Sequence, residues 1–184
     1  MSRIRLVAAA AGVGLLASLV LTGALRFEVF RLGSDSMAPA IDAGDVVVVE
    51  RADGDALRRG DVVVFDDPGG WAADVERLSG EPAAPIFVKR VIGLPGERVA
   101  CCDEAGRLTV DGVRRDEPYL AEPDRLASVL AFDVVVPDAS VFVLGDNRGA
   151  SIDSRYLGPV PWSAVRGLAR VVLDLPMSKT DAAP

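Results

Sequence analysis

Ile86-Phe87-Val88-Lys89-Arg90-Val91-Ile92 holds five β-branched or aromatic residues in seven, and a short apolar run of that kind reads as a buried strand. On a strand Phe87, Lys89 and Val91 share one face while Arg90 points to the other. Similar valine-rich runs stand on either side of it: Val46–Val49, Val62–Phe65, Val134–Val136 and Val141–Leu144. Turn chemistry separates them at Gly44-Asp45, Gly60-Asp61 and Pro95-Gly96, and Asp111-Gly112 is placed for a hairpin between Leu108 and Val113. No long amphipathic helix is legible between these runs. Asp67–Pro85, rich in Gly, Ala, Asp and Pro, reads as a surface loop, and Glu117–Asp138 as a looser excursion. The pattern predicts a mainly β fold, a compact antiparallel β-sheet or barrel-like domain over residues 27–175.

Upstream, Leu6–Leu25 carries no charge, and a helix of that length rises roughly 30 Å, the hydrocarbon thickness of a bilayer. A cleavable secretory signal usually has a shorter apolar region, so an uncleaved transmembrane anchor is the preferred reading. Arg3 and Arg5 precede it, which predicts a cytoplasmic N-terminus and an extracytoplasmic domain. The divisions are therefore residues 1–26 as cytoplasmic N-terminus and anchor, 27–175 as the folded domain and 176–184 as a polar tail.

The 184 residues include 20 basic and 27 acidic ones, a net charge of −7, which is a poor match to nucleic acid. There is no histidine, which excludes Ser-His-Asp and Cys-His sites and every imidazole-ligated metal. The two cysteines, Cys101 and Cys102, are adjacent and cannot supply a four-sulfur site. Two readings of that pair stay open: free thiols in a loop, or a vicinal disulfide.

Lys89 departs from the chain's own habit, which uses lysine only at positions 89 and 179. A strand lysine ordinarily snorkels outward or pairs with a carboxylate. If it is buried instead, its ammonium is disfavoured and its pKa falls, leaving a neutral amine able to act as a base. Such a base would activate a hydroxyl. Gly33-Ser34-Asp35-Ser36-Met37-Ala38-Pro39 offers one, with small residues permitting an exposed serine turn and Pro39 favouring a short helical start behind it. Gly145–Arg155, dense in polar residues directly after a strand, is a third candidate site segment.

In order, these segments resemble the bacterial type I signal peptidases, membrane-anchored serine proteases with a Ser-Lys dyad. Four blocks carry the likeness: Ser34–Pro39, Arg59–Phe65, Phe87–Glu97, and Gly145–Arg148 continuing through Ser151, Asp153-Ser154-Arg155 and Gly158. The resemblance implies that the chain removes signal peptides from exported preproteins, cutting after small residues at −1 and −3. It implies Ser36 as nucleophile and Lys89 as general base, with Ser34 donating to the oxyanion and Ser151 holding the amine. Asp153 and Arg155 would brace that loop, while Asp146 and Arg148 serve structure. Leu32, Met37, Ile41, Phe87 and Val88 would line the substrate pockets. No cofactor or metal is expected; the partners are preproteins and the lipid bilayer, not nucleic acid, and the chain is expected to act as a monomer. Ala40 and Ile41 replace the usual Thr and Leu after the serine motif. Two alternatives remain: a self-cleaving repressor-type Ser-Lys protease, and a catalytically silent membrane-anchored β module.

Overall fold

The computed structural model describes residues 26–123 and 125–174. In chain order the strands are β1 (Phe27–Arg31), β2 (Val46–Arg51), β3 (Val62–Asp66), β4 (Ile86–Gly93), β5 (Arg98–Cys101) and β6 (Leu108–Val110). They continue with β7 (Val113–Arg114), β8 (Phe132–Val135), β9 (Ser140–Leu144), β10 (Val160–Pro161) and β11 (Val165–Leu173). Two helices join them, α1 (Trp71–Ser79) and α2 (Ser154–Leu157). The valine-rich runs become strands because their branched side chains pack well on a pleated, half-buried surface. Every strand pair among the described residues is antiparallel.

The strands divide between two sheets. Seven follow the order β1-β2-β11-β3-β4-β9-β10, and four the order β7-β6-β5-β8. The expectation of a mainly β, antiparallel domain agrees with this arrangement. The predicted hairpin is present: Val110 pairs with Val113, and Asp111 and Gly112 both take positive φ, 52° and 73°, the turn that matches strand twist.

Burial follows the pleat. Phe87 and Val91 join Val63, Phe65, Val141 and Val143 in one core cluster, and Val88 joins Val47, Val49 and Val64 in another. A third cluster, with Val99, Leu108 and Phe142, fills the space at the four-stranded sheet. The sheets meet closely at Gly93, where a Cβ would lie 2.4 Å from Val99 Cγ2.

The segment Asp67–Pro85 is not wholly a loop, since it contains α1. The Asp67 carboxylate accepts the backbone N–H groups of Gly69, Gly70, Trp71 and Ala72 at 2.7–3.1 Å, capping donors that a helix start leaves without partners. Burial opposes ionisation, but these bonds hold the carboxyl below its ordinary pKa. Trp71 then pins the helix, packing edge-on against Phe65 and Phe87 at centroid distances of 5.4 and 5.6 Å. The Pro and Gly residues around the segment obscure a helix whose decisive contact is one tertiary aromatic cluster.

The expected anchor, Leu6–Leu25, and the tail, 176–184, lie outside the described residues. Among the described residues no helix is long and apolar enough to cross a membrane. Cys101 and Cys102 are joined as a vicinal disulfide.

Candidate active site

Two apolar side chains hold the Ser36 turn from below. Met37 and Ile41 pair in an isolated bridge and are 0% and 2% exposed, so burial of their flanks leaves Ser36 at the crest. Asp35 Oδ1 accepts the Ala43 N–H at 2.9 Å and closes the loop. The helical start expected behind Ser36 is a turn instead: the Ala40 and Ile41 N–H groups both bond the Met37 carbonyl, at 3.0 and 3.1 Å. The bridge bends the chain back before a helix can propagate.

Lys89 arrives from the middle of β4, where it stands opposite Val63 of β3. It is 4% exposed. Its Nζ lies 2.8 Å from Ser36 Oγ and donates to the Val88 carbonyl at 3.0 Å. Burial drives its pKa down from 10.5 to about 8, with Arg155 acting in the same direction and Asp153 and Asp146 opposing. The sequence therefore brings a depressed amine and a hydroxyl together across 53 positions. Ser34 Oγ donates to Ser36 Oγ at 3.3 Å.

The loop after β9 forms the other wall. Asp153 is fully buried and accepts from Arg155 Nε at 2.8 Å, Arg155 Nη2 at 2.8 Å, the Gly145 N–H at 3.0 Å and Ser151 Oγ at 2.8 Å. Arg155 also donates to the Ser151 and Arg148 carbonyls. The Ser151 hydroxyl is thus turned to Asp153, and the amine bonds Ser36 and Val88, so Ser151 lies near the dyad without a hydrogen bond to Lys89. The Ser151 O–H is committed to the buried carboxylate in a charge-assisted bond.

The loop and the Ser36 turn touch through backbone. Asn147 N–H donates to the Ser36 carbonyl at 3.1 Å, and a Cβ on Gly145 would lie 2.4 Å from that same oxygen and 2.3 Å from Ser151 Oγ. Only glycine permits so close an approach. Asp146 and Arg148 are anchored by ion pairs. Asp146 receives Arg90 Nε at 2.8 Å, with the Arg90 guanidinium stacked 4.1 Å over the Tyr119 ring. Arg148 pairs with Glu117, to which the Tyr119 hydroxyl also donates at 2.6 Å. Burial, together with the Glu117 charge, pushes the Tyr119 pKa up.

A cleft of about 540 Å³ opens over the dyad. Of the five side chains expected to line it, Phe87 does so; Leu32, Met37, Ile41 and Val88 pack in the core with Val47, Val49 and Val64. The pleat and the turn set this burial: Val88 projects to the face opposite Phe87, and Met37 and Ile41 form the apolar underside of the Ser36 turn. Val75 of α1, Ala84, Ile86 and Ile152 take their place. Val75 and Ala84 belong to the segment read as loop, and alternation sets Ile86 with Val88 rather than with Phe87, so no sequence signal marks it; it reaches the cleft from the start of β4. β9 pairs with Arg90, Val91 and Gly93 alone, so Ile86–Lys89 keep one ladder edge free of strand partners among the described residues.

An amine set against a serine hydroxyl beside an open strand edge is the arrangement that a histidine-free serine hydrolase requires. Residues 3–173 match the family described as signal peptidase, peptidase S26, and the chain belongs to that family. A probable signal peptidase I-1 of Synechocystis sp. is 36% identical over 160 residues, 84% of this chain and 76% of that protein. A signal peptidase I of Bacillus caldolyticus is 33% identical over 154 residues, 77% of this chain and 76% of that one. A solved signal peptidase I from Enterococcus faecalis V583 aligns with a TM-score of 0.49 at 31% identity, covering 62% of this chain and 97% of that one.

Proposed function

We propose that the chain is a serine endopeptidase that removes signal peptides from exported preproteins, with Ser36 as nucleophile and Lys89 as general base. The observation that carries this reading is the 2.8 Å approach of a buried lysine amine, with a pKa near 8, to a half-buried serine hydroxyl. At that pKa a usable fraction of Lys89 is neutral at physiological pH.

The chemistry follows from the two groups. The Lys89 amine takes the Ser36 proton as Oγ bonds the scissile carbonyl carbon. The resulting ammonium gives that proton to the departing nitrogen as the C–N bond breaks. Water, deprotonated by the regenerated amine, then releases the acyl group and restores the serine. The Ser34 hydroxyl and the Ser36 backbone N–H are suited to the tetrahedral oxygen. Asp153 and Arg155 hold the loop that backs the amine, and Ser151 is held with them.

The free edge of Ile86–Lys89 suits an extended substrate that adds a strand, with alternate side chains entering the cleft. Phe87, Ile86 and Ile152 give it apolar lining, which suits small uncharged residues at −1 and −3. Leu6–Leu25 would hold the domain of residues 27–175 at the outer face of the bilayer, raising its effective concentration against emerging preproteins.

The test is incubation of the detergent-solubilised chain with a preprotein bearing Ala-x-Ala, with mass measurement of the new N-terminus. Cleavage after the second alanine, abolished in Ser36→Ala and measurable in Ser34→Ala, is expected. Normal cleavage by Ser36→Ala would remove Ser36 from the mechanism.

A further inference from the structure

A second cavity, of about 240 Å³, adjoins the dyad cleft without containing Ser36 or Lys89. One ridge separates the two spaces. On the cleft side the ridge shows Ser36, Ala43 and Ala150; on the far side it shows Ala38, Asp42 and Gly149. Each pair lies one or two positions apart in the chain, so the ridge is only a residue or two thick. It is also fixed, because Asn147 N–H holds the Ser36 carbonyl and the Ala150 and Ser151 N–H groups both bond the Asn147 carbonyl.

The opposite wall comes from the excursion after Glu117, through Leu120, Ala121, Leu126 and Ala127. Nothing in the dyad chemistry uses this segment. Yet the Glu117 pair with Arg148 ties it to the ridge, with side chains 8% and 9% exposed. An ion pair that buried is costly to open from one side, so the cavity is a built space and its two walls stay in register.

We propose that this cavity is the subsite for the segment leaving the scissile bond: the first two or three residues of the mature protein. The inference rests on the peptidase reading above. A peptide whose carbonyl meets Ser36 Oγ has its acyl half in the cleft with Lys89, and the chain beyond the broken C–N bond must cross the ridge. The space it enters has an apolar floor of Leu120, Ala127 and Pro39, suited to an uncharged side chain. Its rim is acidic. Glu122 is paired with Arg125 at 3.4 Å, whereas the exposed Asp42 carboxylate has no ion-pair partner among the described residues. The residual negative charge favours the amine released on acylation and basic over acidic residues behind it. Binding energy realised here acts on a part of the substrate remote from the acyl half, so it is spent on orienting the scissile bond.

The experiment compares two substrates with the same acyl half: a preprotein, and a methyl ester that ends at the scissile carbonyl. The readout is the ratio of their kcat/KM values. Ala121→Trp, at an exposed position, fills the cavity and is expected to lower that ratio about tenfold, the discrimination of a modest apolar pocket. Asp42→Lys is expected to reverse the preference between Lys and Glu at the second and third residues after the cut. Ester turnover reports that each variant is folded. A ratio within twofold of the parent in Ala121→Trp, with the Lys/Glu preference unmoved in Asp42→Lys, overturns the subsite while leaving the peptidase reading intact. A parent chain that cleaves neither substrate overturns the peptidase reading itself.

Discussion

Two arginine-aspartate pairs, one in each half of the molecule, share the same bidentate geometry and differ in nearly everything else. Asp153 and Arg155, behind the dyad, have side chains 0% and 1% exposed; Arg98 and Asp133, across β5 and β8, are 62% and 50% exposed. The buried carboxylate accepts three further hydrogen bonds, from the Gly145 and Arg155 backbone N–H groups and from Ser151, and its arginine holds two backbone carbonyls. The exposed pair has water as an equal competitor for both partners. Charge pairing therefore costs little to lose in the four-stranded sheet and much to lose beside the site, where desolvated groups have no alternative partner. The same desolvation that makes Asp153 indispensable depresses the Lys89 amine.

The largest effect that separates the two regions is expected at Lys89. Lys89→Met should lower preprotein cleavage by about 10⁴-fold, the upper range for loss of a general base. It should also stabilise the fold at pH 7, by up to about 3 kcal/mol. The unfolded lysine keeps its proton up to about pH 10.5 and the folded one only to about 8, so below pH 8 the native state bears a buried charge in full. Between those values the native state sheds its proton and the parent recovers stability, so the advantage of Met should narrow as pH rises. Urea melts of both proteins at pH 7 and pH 10 check this; a parent that is equally stable relative to the variant at both pH values would place the amine in solvent-like surroundings.

Next in size is the buried pair. Asp153→Asn should cost about 3–5 kcal/mol, a fall in Tm of roughly 6–20 °C for a domain of this length. A cost below about 1 kcal/mol in a denaturant titration would erase the distinction between the two pairs. Smaller again is the pH response of the parent enzyme: kcat/KM should rise about tenfold from pH 7 to pH 9 as Lys89 loses its proton near pH 8. A midpoint near that of free lysine would contradict burial as the source of the base. Smallest is Asp133→Asn, which should leave Tm within experimental error of the parent because both partners stand in solvent.

The valine runs, the hairpin at Asp111-Gly112, the absence of histidine and the isolated lysine at position 89 were decided by residue identity. Alternation along Ile86–Ile92 and the demands of the turns left little choice of strand or face, because those are local properties of the chain, while the chemistry of Lys89 waited on its burial. The sequence also held the ordered blocks that tie the chain to its family. What local reading could not supply was proximity. The helix Trp71–Ser79 depends on an aspartate cap and on Trp71 meeting Phe65 and Phe87. The burial of Met37 and Ile41 against Val64 and Val88, and the Asn147 N–H bond to the Ser36 carbonyl, depend on groups far apart in the chain. Tertiary packing decides such contacts, since hydrogen-bond partners and apolar burial are assigned only once the segments meet, and the depressed pKa of Lys89 is the product of that assignment.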